Sequence, residues 1–385
     1  MKIVFFSIVR YPTEKAYGVT IGYTHQALVE LGHEALIKTV DDVIYSINKP
    51  LRFLFYSADK FLKTQSRSNL FTKFIFTLKR LLVAITSLKV IPSDTELLWV
   101  RDSLVGILYS HRYQTKKIVL ELHQNINFIE SYLLKKIHLN ENVYLAPISR
   151  ELENKLIGMQ MNPIRIIPSP MAVPNAFFSK KVDLDLYSLS KGEMNIGYIG
   201  SALSLGLHQN LFSLINCIQQ ISDNSKEISP RLYIFGIEPE IIEIINKNFH
   251  GSISSGILMI FQRQKHDELI QNLDVCNIFI LPYPENKYFR VRFPIKAMEY
   301  AALRRPVVIS NTISHNNIFS NEEAWFFDPD KCGGLEEVLL KIYRSPNEVI
   351  DKVKNAYEKS LDHTYRNRAL NIISRLQADK KWESQ

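Results

Sequence analysis

The sequence predicts an α/β fold built from two doubly wound domains, each a parallel sheet covered by helices. Its 385 residues leave room for two separate cores, since a domain takes roughly 100 to 200 residues. Short apolar runs alternate with helical patterns up to Ile167; a stretch bearing Pro168, Pro170 and Pro174 breaks that rhythm, and the same alternation restarts at Asn195. A content of 46% hydrophobic and 22% charged residues, with only 14 Gly and 16 Pro, removes disordered, collagen-like and low-complexity readings.

Lys2–Val9 reads as a first strand and not as a secretory leader, because Arg10 closes the apolar run and no small-residue cleavage site follows. A helical pattern over Thr20–Leu31 stops at Gly32. Glu96–Arg101, Ser103–His111, Lys117–Leu122, Val143–Ala146, a helix over Ser149–Leu156 and Arg165–Ile167 continue the alternation. Runs apolar along their whole length are what a parallel sheet buried on both faces requires. In the second half, Asn195–Ile199, Arg231–Phe235, Ile257–Phe261, Asn277–Leu281 and Pro306–Ser310 read as strands. Helices fall between them near Gln209–Ile221, Glu240–Asn246, Asp267–Leu273 and Ile295–Leu303. From Pro346 to Lys381 the pattern is almost all helical. These limits predict a first domain over 1–172, a linker over 173–193, a second domain over 194–362 and a terminal helix over 363–385.

The net charge of +8 is confined to one segment: between Asn48 and Val90 stand nine basic residues and one acid, Asp59, and the remainder balances. An anionic partner is implied. The longest later apolar stretch, Leu81–Leu88, is far below the roughly 18 residues of a membrane-spanning helix. Cys217, Cys276 and Cys332 are odd in number, widely spaced and without a CxxC pair. The sequence therefore predicts neither a disulfide framework nor a zinc site, and a reducing cytoplasm fits.

No GxGxxG follows a strand, and GxxxxGK[ST], HExxH and GxSxG are absent, which sets aside dehydrogenase, P-loop, zinc-protease and α/β-hydrolase chemistry. Ligands of open α/β sheets lie at the carboxyl ends of the strands, and four such ends stand out. Arg10–Thr20 is a loop carrying Gly18, either an ordinary surface loop or one whose bare backbone approaches a ligand. In Glu121-Leu122-His123-Gln124, strand alternation puts Glu121 and His123 on one side; His123 either binds a sugar hydroxyl or is a satisfied partner of Glu121. Gly197-Tyr198-Ile199-Gly200-Ser201 is a strand running into a glycine turn whose amides suit a phosphate.

The fourth end is Arg290-Val291-Arg292-Phe293-Pro294-Ile295-Lys296-Ala297-Met298-Glu299-Tyr300. Pro294 suits a first helical position, which would leave the N–H groups of Ile295, Lys296 and Ala297 free for an anion. Arg290, Arg292 and Lys296 add positive charge for a leaving diphosphate, and Glu299, one turn on, suits a ribose diol. The alternative is a Lys296–Glu299 surface pair.

In this order, and joined by His266-Asp267-Glu268-Leu269, Ile278-Phe279-Ile280-Leu281-Pro282 and Pro306-Val307-Val308, these features resemble the GT-B glycosyltransferases. The likeness is to the large retaining family four, the glycosyl transferases of group 1, and it spans most of the chain. The resemblance implies two Rossmann-like domains facing a cleft, with a terminal helix crossing back to the first. It also implies a nucleotide sugar held mainly by the second domain, and no metal or other cofactor. Lys296 and the backbone after Phe293 would hold the diphosphate, Glu299 the ribose, and His123 would face the donor sugar. Val291 stands where many members carry an acid, and Ser201 and Gly206 where many carry Arg and Lys. Phosphate neutralisation is thereby left to Lys296, Arg292, Arg290 or Arg263.

The expected activity is transfer of a sugar, with retention, from a nucleotide donor such as a UDP-sugar to a lipid-linked or cell-envelope glycan. A sugar-nucleotide epimerase and an inactive scaffolding subunit are the alternatives; a nucleic-acid partner is not expected, since no reading motif is present. The basic segment reads as two amphipathic helices, the second with Phe71, Phe74, Ile75, Leu78, Leu81, Leu82 and Ile85 on one stripe. Either the stripes pack on the sheet, or the segment lies on an anionic membrane. In the second case Lys60, Lys63, Arg67, Lys73, Lys79 and Arg80 face the lipid, and the enzyme works peripherally at the inner face of the cell membrane.

Overall fold

The computed structural model describes residues 1–13, 16–47, 49–50, 52–53, 56–57, 70–179, 192–204, 207–264 and 266–379. It divides the chain into two units, Met1–Met171 with Tyr365–Gln385, and Ala172–Thr364.

The first unit holds a parallel sheet of five strands in the order β2-β1-β3-β4-β5. They are β1 (Lys2–Ser7), β2 (Glu34–Thr39), β3 (Leu97–Val100), β4 (Lys117–Leu122) and β5 (Val143–Pro147). Every residue of β3 and β4 is buried, as the apolar runs Leu97–Val100 and Ile118–Leu120 demand. Helices α1 (Ala16–Glu30), α2 (Val40–Ser46), α3 (Leu70–Ser87), α4 (Ser103–Arg112), α5 (Phe128–Ile137) and α6 (Arg150–Gly158) connect them. Thr39 and Asn127 start α2 and α5 with reciprocal capping boxes, and Asp102 caps α4 through the amides of Leu104 and Val105.

The second unit holds six parallel strands in the order β10-β9-β6-β11-β12-β13. They are β6 (Glu193–Ile199), β9 (Ser229–Ile237), β10 (Leu258–Gln262), β11 (Ile278–Leu281), β12 (Val307–Ser310) and β13 (Trp325–Phe327). A two-residue hairpin, β7 (Leu203–Ser204) with β8 (Leu207–His208), leaves the end of β6. The main helices are α7 (Leu211–Asn224), α8 (Pro239–Asn248), α9 (His266–Asn272), α10 (Ile295–Ala302), α11 (Cys332–Arg344) and α12 (Pro346–Leu361). The last helix, α13 (Tyr365–Ala378), belongs to the first unit, where Ala369, Ile372, Ile373 and Leu376 are buried and Tyr365 stacks on Tyr23 of α1.

Four expectations need correction. The stretch after 172 is not a free linker where described: Val173 is fully buried and bridges to Thr364, and Phe177 is fully buried. Arg165–Ile167 is no strand but a 3-10 turn, Pro163–Arg165, followed by a single bridge from Ile166 to Leu145. The C-terminal helical run is interrupted between Leu361 and Tyr365, close to the expected start of the terminal helix at 363. Cys217 of α7 and Cys332 at the start of α11 form a disulfide, and Cys276 is buried and free. Packing of α7 against α11 brings together two cysteines 115 residues apart, which spacing in the sequence does not reveal.

The fourth correction concerns the basic segment. Lys60, Lys63 and Arg67 lie outside the described residues, as does the side chain of Lys73; Lys79 is half-buried. Arg80 is not lipid-facing: its Nε donates to Asp102 Oδ2 at 2.8 Å, tying α3 to the cap of α4. Of the two readings of the second stripe, packing on the sheet is not what α3 shows: the stripe faces outward. Phe71, Phe74, Leu78, Leu81 and Ile85 follow one another at steps of three and four, each 46 to 64% exposed, while Val83, Ala84 and Ser87 are buried. Of the expected stripe, Ile75 and Leu82 are half-buried.

Candidate functional site

Each unit has one place where strand order reverses, and such a place opens a crevice at the carboxyl ends of the strands. In the first unit it lies between β1 and β3. Gly18, now inside α1, is needed there for the chain's own packing: a Cβ would meet Thr13 O at 2.3 Å and Thr13 Cγ2 at 2.4 Å. Thr13 thus packs against Gly18, a contact that any side chain there would block.

At the ends of β3 and β4, Glu121 is completely buried at the centre of a polar cluster. Trp99 Nε1 donates to its Oε1 at 2.7 Å, His123 Nε2 lies 2.7 Å from Oε2, Arg101 Nε lies 3.3 Å from Oε2, and Arg368 of α13 pairs with Oε1. Burial alone would raise the Glu121 carboxyl, but Arg368, His123 and Arg101 outweigh it and hold the group well below the usual carboxylate range. His123 is pushed down to about 4, by burial first and Arg101 second, against the pull of Glu121. It is therefore a neutral imidazole at pH 7, with Nδ1 3.3 Å from Arg101 Nη2. Of the two sequence readings, the structure shows the satisfied partner of Glu121; 17% of the side chain remains exposed.

In the second unit the order reverses between β6 and β11. Gly197 is required because a Cβ would strike Phe279 at 2.5 Å. Gly200 has φ of +154° and donates its N–H to Phe235 O at 3.0 Å. The turn is braced by tyrosines: Tyr198 Oη donates to Ser201 O at 2.7 Å, and the Ile199 N–H donates to Tyr300 Oη at 2.9 Å. Ser201 Oγ accepts from Gln209. These hydroxyls stay protonated, since burial raises Tyr198 and Tyr300 well above the ordinary phenol value.

The start of α10 differs from the sequence expectation in detail. Pro294 is the N-cap and Ile295 the first helical residue. Tight turns satisfy two of the three amides expected to be free: Ile295 N–H donates to Phe293 O at 2.9 Å and Ala297 N–H to Pro294 O at 3.0 Å. Only the Lys296 amide is left for a ligand among the described residues. Lys296 Nζ lies 2.7 Å from Glu299 Oε2, with side chains 26% and 7% exposed, so the two are brought together in a partly buried pair. Arg292 lies over the Tyr288 ring at 4.4 Å and donates from Nη2 to Tyr288 Oη at 2.7 Å, while its Nε is buried without a partner.

The remaining candidates separate. Arg290 is 44% exposed and pairs with Glu285 at 3.0 Å. Arg263 is exposed in the loop after β10, an edge strand two places from β6. At about 4.8 Å per strand, that places its backbone roughly 10 Å from the Gly200 turn in the sheet plane. Phe293 is buried against the His363 ring, and Val291 is buried. Sequence reasoning missed Arg101, Arg368 and Trp99 around Glu121, and Tyr283 and Glu238 at the edge of the second sheet. The only local signal was Glu238-Pro239 directly after a strand. Among the described residues no three His, Cys, Asp or Glu side chains gather as a metal-binding group, and no described helix is long and apolar enough to cross a membrane.

Residues 193–345 match the family described as Glycosyl transferases group 1. A comparison with curated protein sequences finds no match. Among solved structures, a glycosyltransferase from Rickettsia africae is similar with a TM-score of 0.67 at 14% identity, over 97% of each chain. Sucrose-phosphate synthase from Thermosynechococcus elongatus is similar with 0.65 at 13%, over 100% of each chain. HepE from Anabaena, solved in complex with UDP, is similar with 0.63 at 11%, over 98% of this chain and 100% of that one. At these identities the likeness carries the fold, two parallel α/β sheets of the GT-B kind.

Proposed function

Because residues 193–345 match the family described as Glycosyl transferases group 1, we propose that this protein transfers a sugar from a nucleotide-sugar donor, a UDP-sugar in the first instance, with retention of anomeric configuration. The observation that carries the reading is the Lys296–Glu299 pair at the start of α10, beside the strand switch that ends in the Gly200 turn. An ammonium, a free amide and the unpaired Arg292 Nε offer fixed positive charge to a diphosphate; Glu299 offers two acceptor oxygens to a ribose diol.

When a donor binds, Lys296 turns from Glu299 to the phosphates and frees the carboxylate for the ribose. As the diphosphate departs, positive character builds on the sugar and negative charge on the leaving oxygens. With that turn completed at binding, Lys296, Arg292 and the Lys296 amide lower the barrier without further reorganisation during the reaction. No metal is needed in this scheme, since cationic side chains take its electrostatic role.

The acceptor we propose is a lipid-linked or cell-envelope glycan, met by peripheral attachment at the inner face of the cell membrane. The outward apolar stripe of α3 and the excess of basic over acidic residues between 48 and 90 support this. The deciding experiment is a thermal-shift panel of UDP, GDP, ADP and CMP with the full chain. A ligand at a hundred times its Kd adds about 2.7 kcal/mol, and no shift with any of them would remove the donor reading.

A further inference from the structure

Glu238 carries the only carboxylate oxygen, among the described residues, that is buried and takes no hydrogen bond. It directly follows β9 and occupies the N-cap of α8, yet its side chain does not cap the helix. The backbone before it is bent by Gly236, with φ of +88°, where an added Cβ would have only Gly200 O nearby, at 4.0 Å. The Gly200 N–H donates to Phe235 O, so Glu238 stands at the carboxyl edge of the sheet, next to the glycine turn of β6. Glu238 as a whole is half-buried, so it is one oxygen, Oε2, that is turned inward without a protein partner; such an atom calls for an explanation, and a ligand that completes it is one.

A second unpaired charged atom lies at the same edge, the buried Nε of Arg292. Both belong to one electrostatic neighbourhood: Glu238 and Tyr283 act on the buried Tyr198 hydroxyl, and Arg292 and Glu299 on that of Tyr283. One atom is an anionic acceptor and the other a cationic donor. A ligand that satisfies both must carry acidic oxygens and hydrogen-bond donors, as a nucleoside diphosphate does. The diphosphate cannot be the partner of Glu238, because like charges repel. Hydroxyl or N–H groups of the nucleoside can. In a sheet of this strand order, an acidic residue at the end of the second strand is where dinucleotide-binding folds take a ribose hydroxyl, and β9 is the second strand of this unit.

We propose that Glu238 is a second nucleoside-binding carboxylate of the donor site, accepting hydrogen bonds from ribose hydroxyl or base N–H groups; this rests on the nucleotide-sugar reading above. The test titrates wild-type protein, Glu238→Ala and Glu238→Gln with UDP, GDP, ADP and CDP by calorimetry, alongside melting curves of each protein. Wild type binding none of the four overturns the donor reading and this inference with it. Wild type binding one of them, with Glu238→Ala weakened roughly ten- to a hundredfold, Glu238→Gln weakened less, and a Tm unchanged or raised in both, is the expected result. A purely structural role would lower the Tm and leave the affinity alone. Equal affinity in wild type and Glu238→Ala overturns the assignment while leaving the donor reading in place. The 2′-deoxy and 3′-deoxy forms of the best nucleotide separate the two sources. If the alanine variant loses nothing further with one of them, the partner is that ribose hydroxyl; if the loss persists with both, it is the base.

Discussion

Removing the Lys296 ammonium tests both the stability and the chemistry of the start of α10. Glu299 is 7% exposed and Lys296 26%, so Lys296→Ala leaves a nearly buried carboxylate without its counter-charge. An exposed pair contributes at most about 1 kcal/mol and breaking a buried one costs about 3 to 5; this intermediate geometry puts Lys296→Ala at about 1 to 3 kcal/mol. Adding Glu299→Gln should recover part of that loss, giving a coupling of about 1 to 2 kcal/mol in a double-mutant cycle. Urea unfolding of the four proteins measures it. Nucleotide titration of the same proteins should show each single variant weakened roughly ten- to more than a hundredfold, the worth of a charge-assisted hydrogen bond. Additive stabilities together with unchanged nucleotide affinity and turnover in both single variants would refute the reasoning, since the pair would then be an ordinary surface contact.

Acidification should destabilise the second unit through His315, which is fully buried, donates from Nδ1 to Ser310 O at 2.8 Å and leaves Nε2 unpartnered. Burial pushes it down to about 4, so the unfolded chain binds the proton first. Stability should fall by roughly 3 kcal/mol between about pH 6.5 and pH 4, a slope that urea midpoints should show and His315→Gln should flatten; no slope in wild type counts against it. Thiol titration of the denatured, unreduced chain should find one reactive cysteine, Cys276, and three after reduction; three from the outset would disprove the Cys217–Cys332 bond. Dithiothreitol should also lower the Tm, since a bond closing so long a loop contributes about 2 to 4 kcal/mol. EDTA should leave transfer activity intact, and loss restored by Mg²⁺ or Mn²⁺ would contradict the proposed mechanism. Sedimentation with anionic vesicles should be salt-sensitive, at about 1 kcal/mol per basic residue near the surface, and Phe74→Ser with Leu78→Ser should abolish it; binding unaffected by these changes would free α3 of that role.

Buried parallel strands were legible because both their faces are apolar. β6, β9, β11 and β12 each announce themselves as short Val, Ile, Leu and Phe runs. The edge strand β2 did not, since a strand paired on one side and half-exposed needs no such run; Glu34–Thr39 is mostly half-exposed. β13 was missed because its apolar run is only three residues long, Trp325–Phe327. Lys296 and Glu299 could be paired from their spacing alone, three residues apart on a helix. The environment of His123 could not. Arg368, which neutralises Glu121, stands 247 residues away in the chain, and no local pattern joins them. The direction of the α3 stripe was equally hidden, because periodicity locates an apolar face without saying what it faces.

The membership of α13 in the first unit orders events during synthesis. The ribosome delivers all of Ala172–Thr364 before it delivers Arg368 and the buried Ala369, Ile372, Ile373 and Leu376. The second unit can therefore complete its core while the first, although made earlier, still lacks a helix and holds Glu121 short of its strongest counter-charge. Nascent chains paused before Tyr365 should expose the first unit to proteases and chaperones. In this protein the half translated first is the half that matures last.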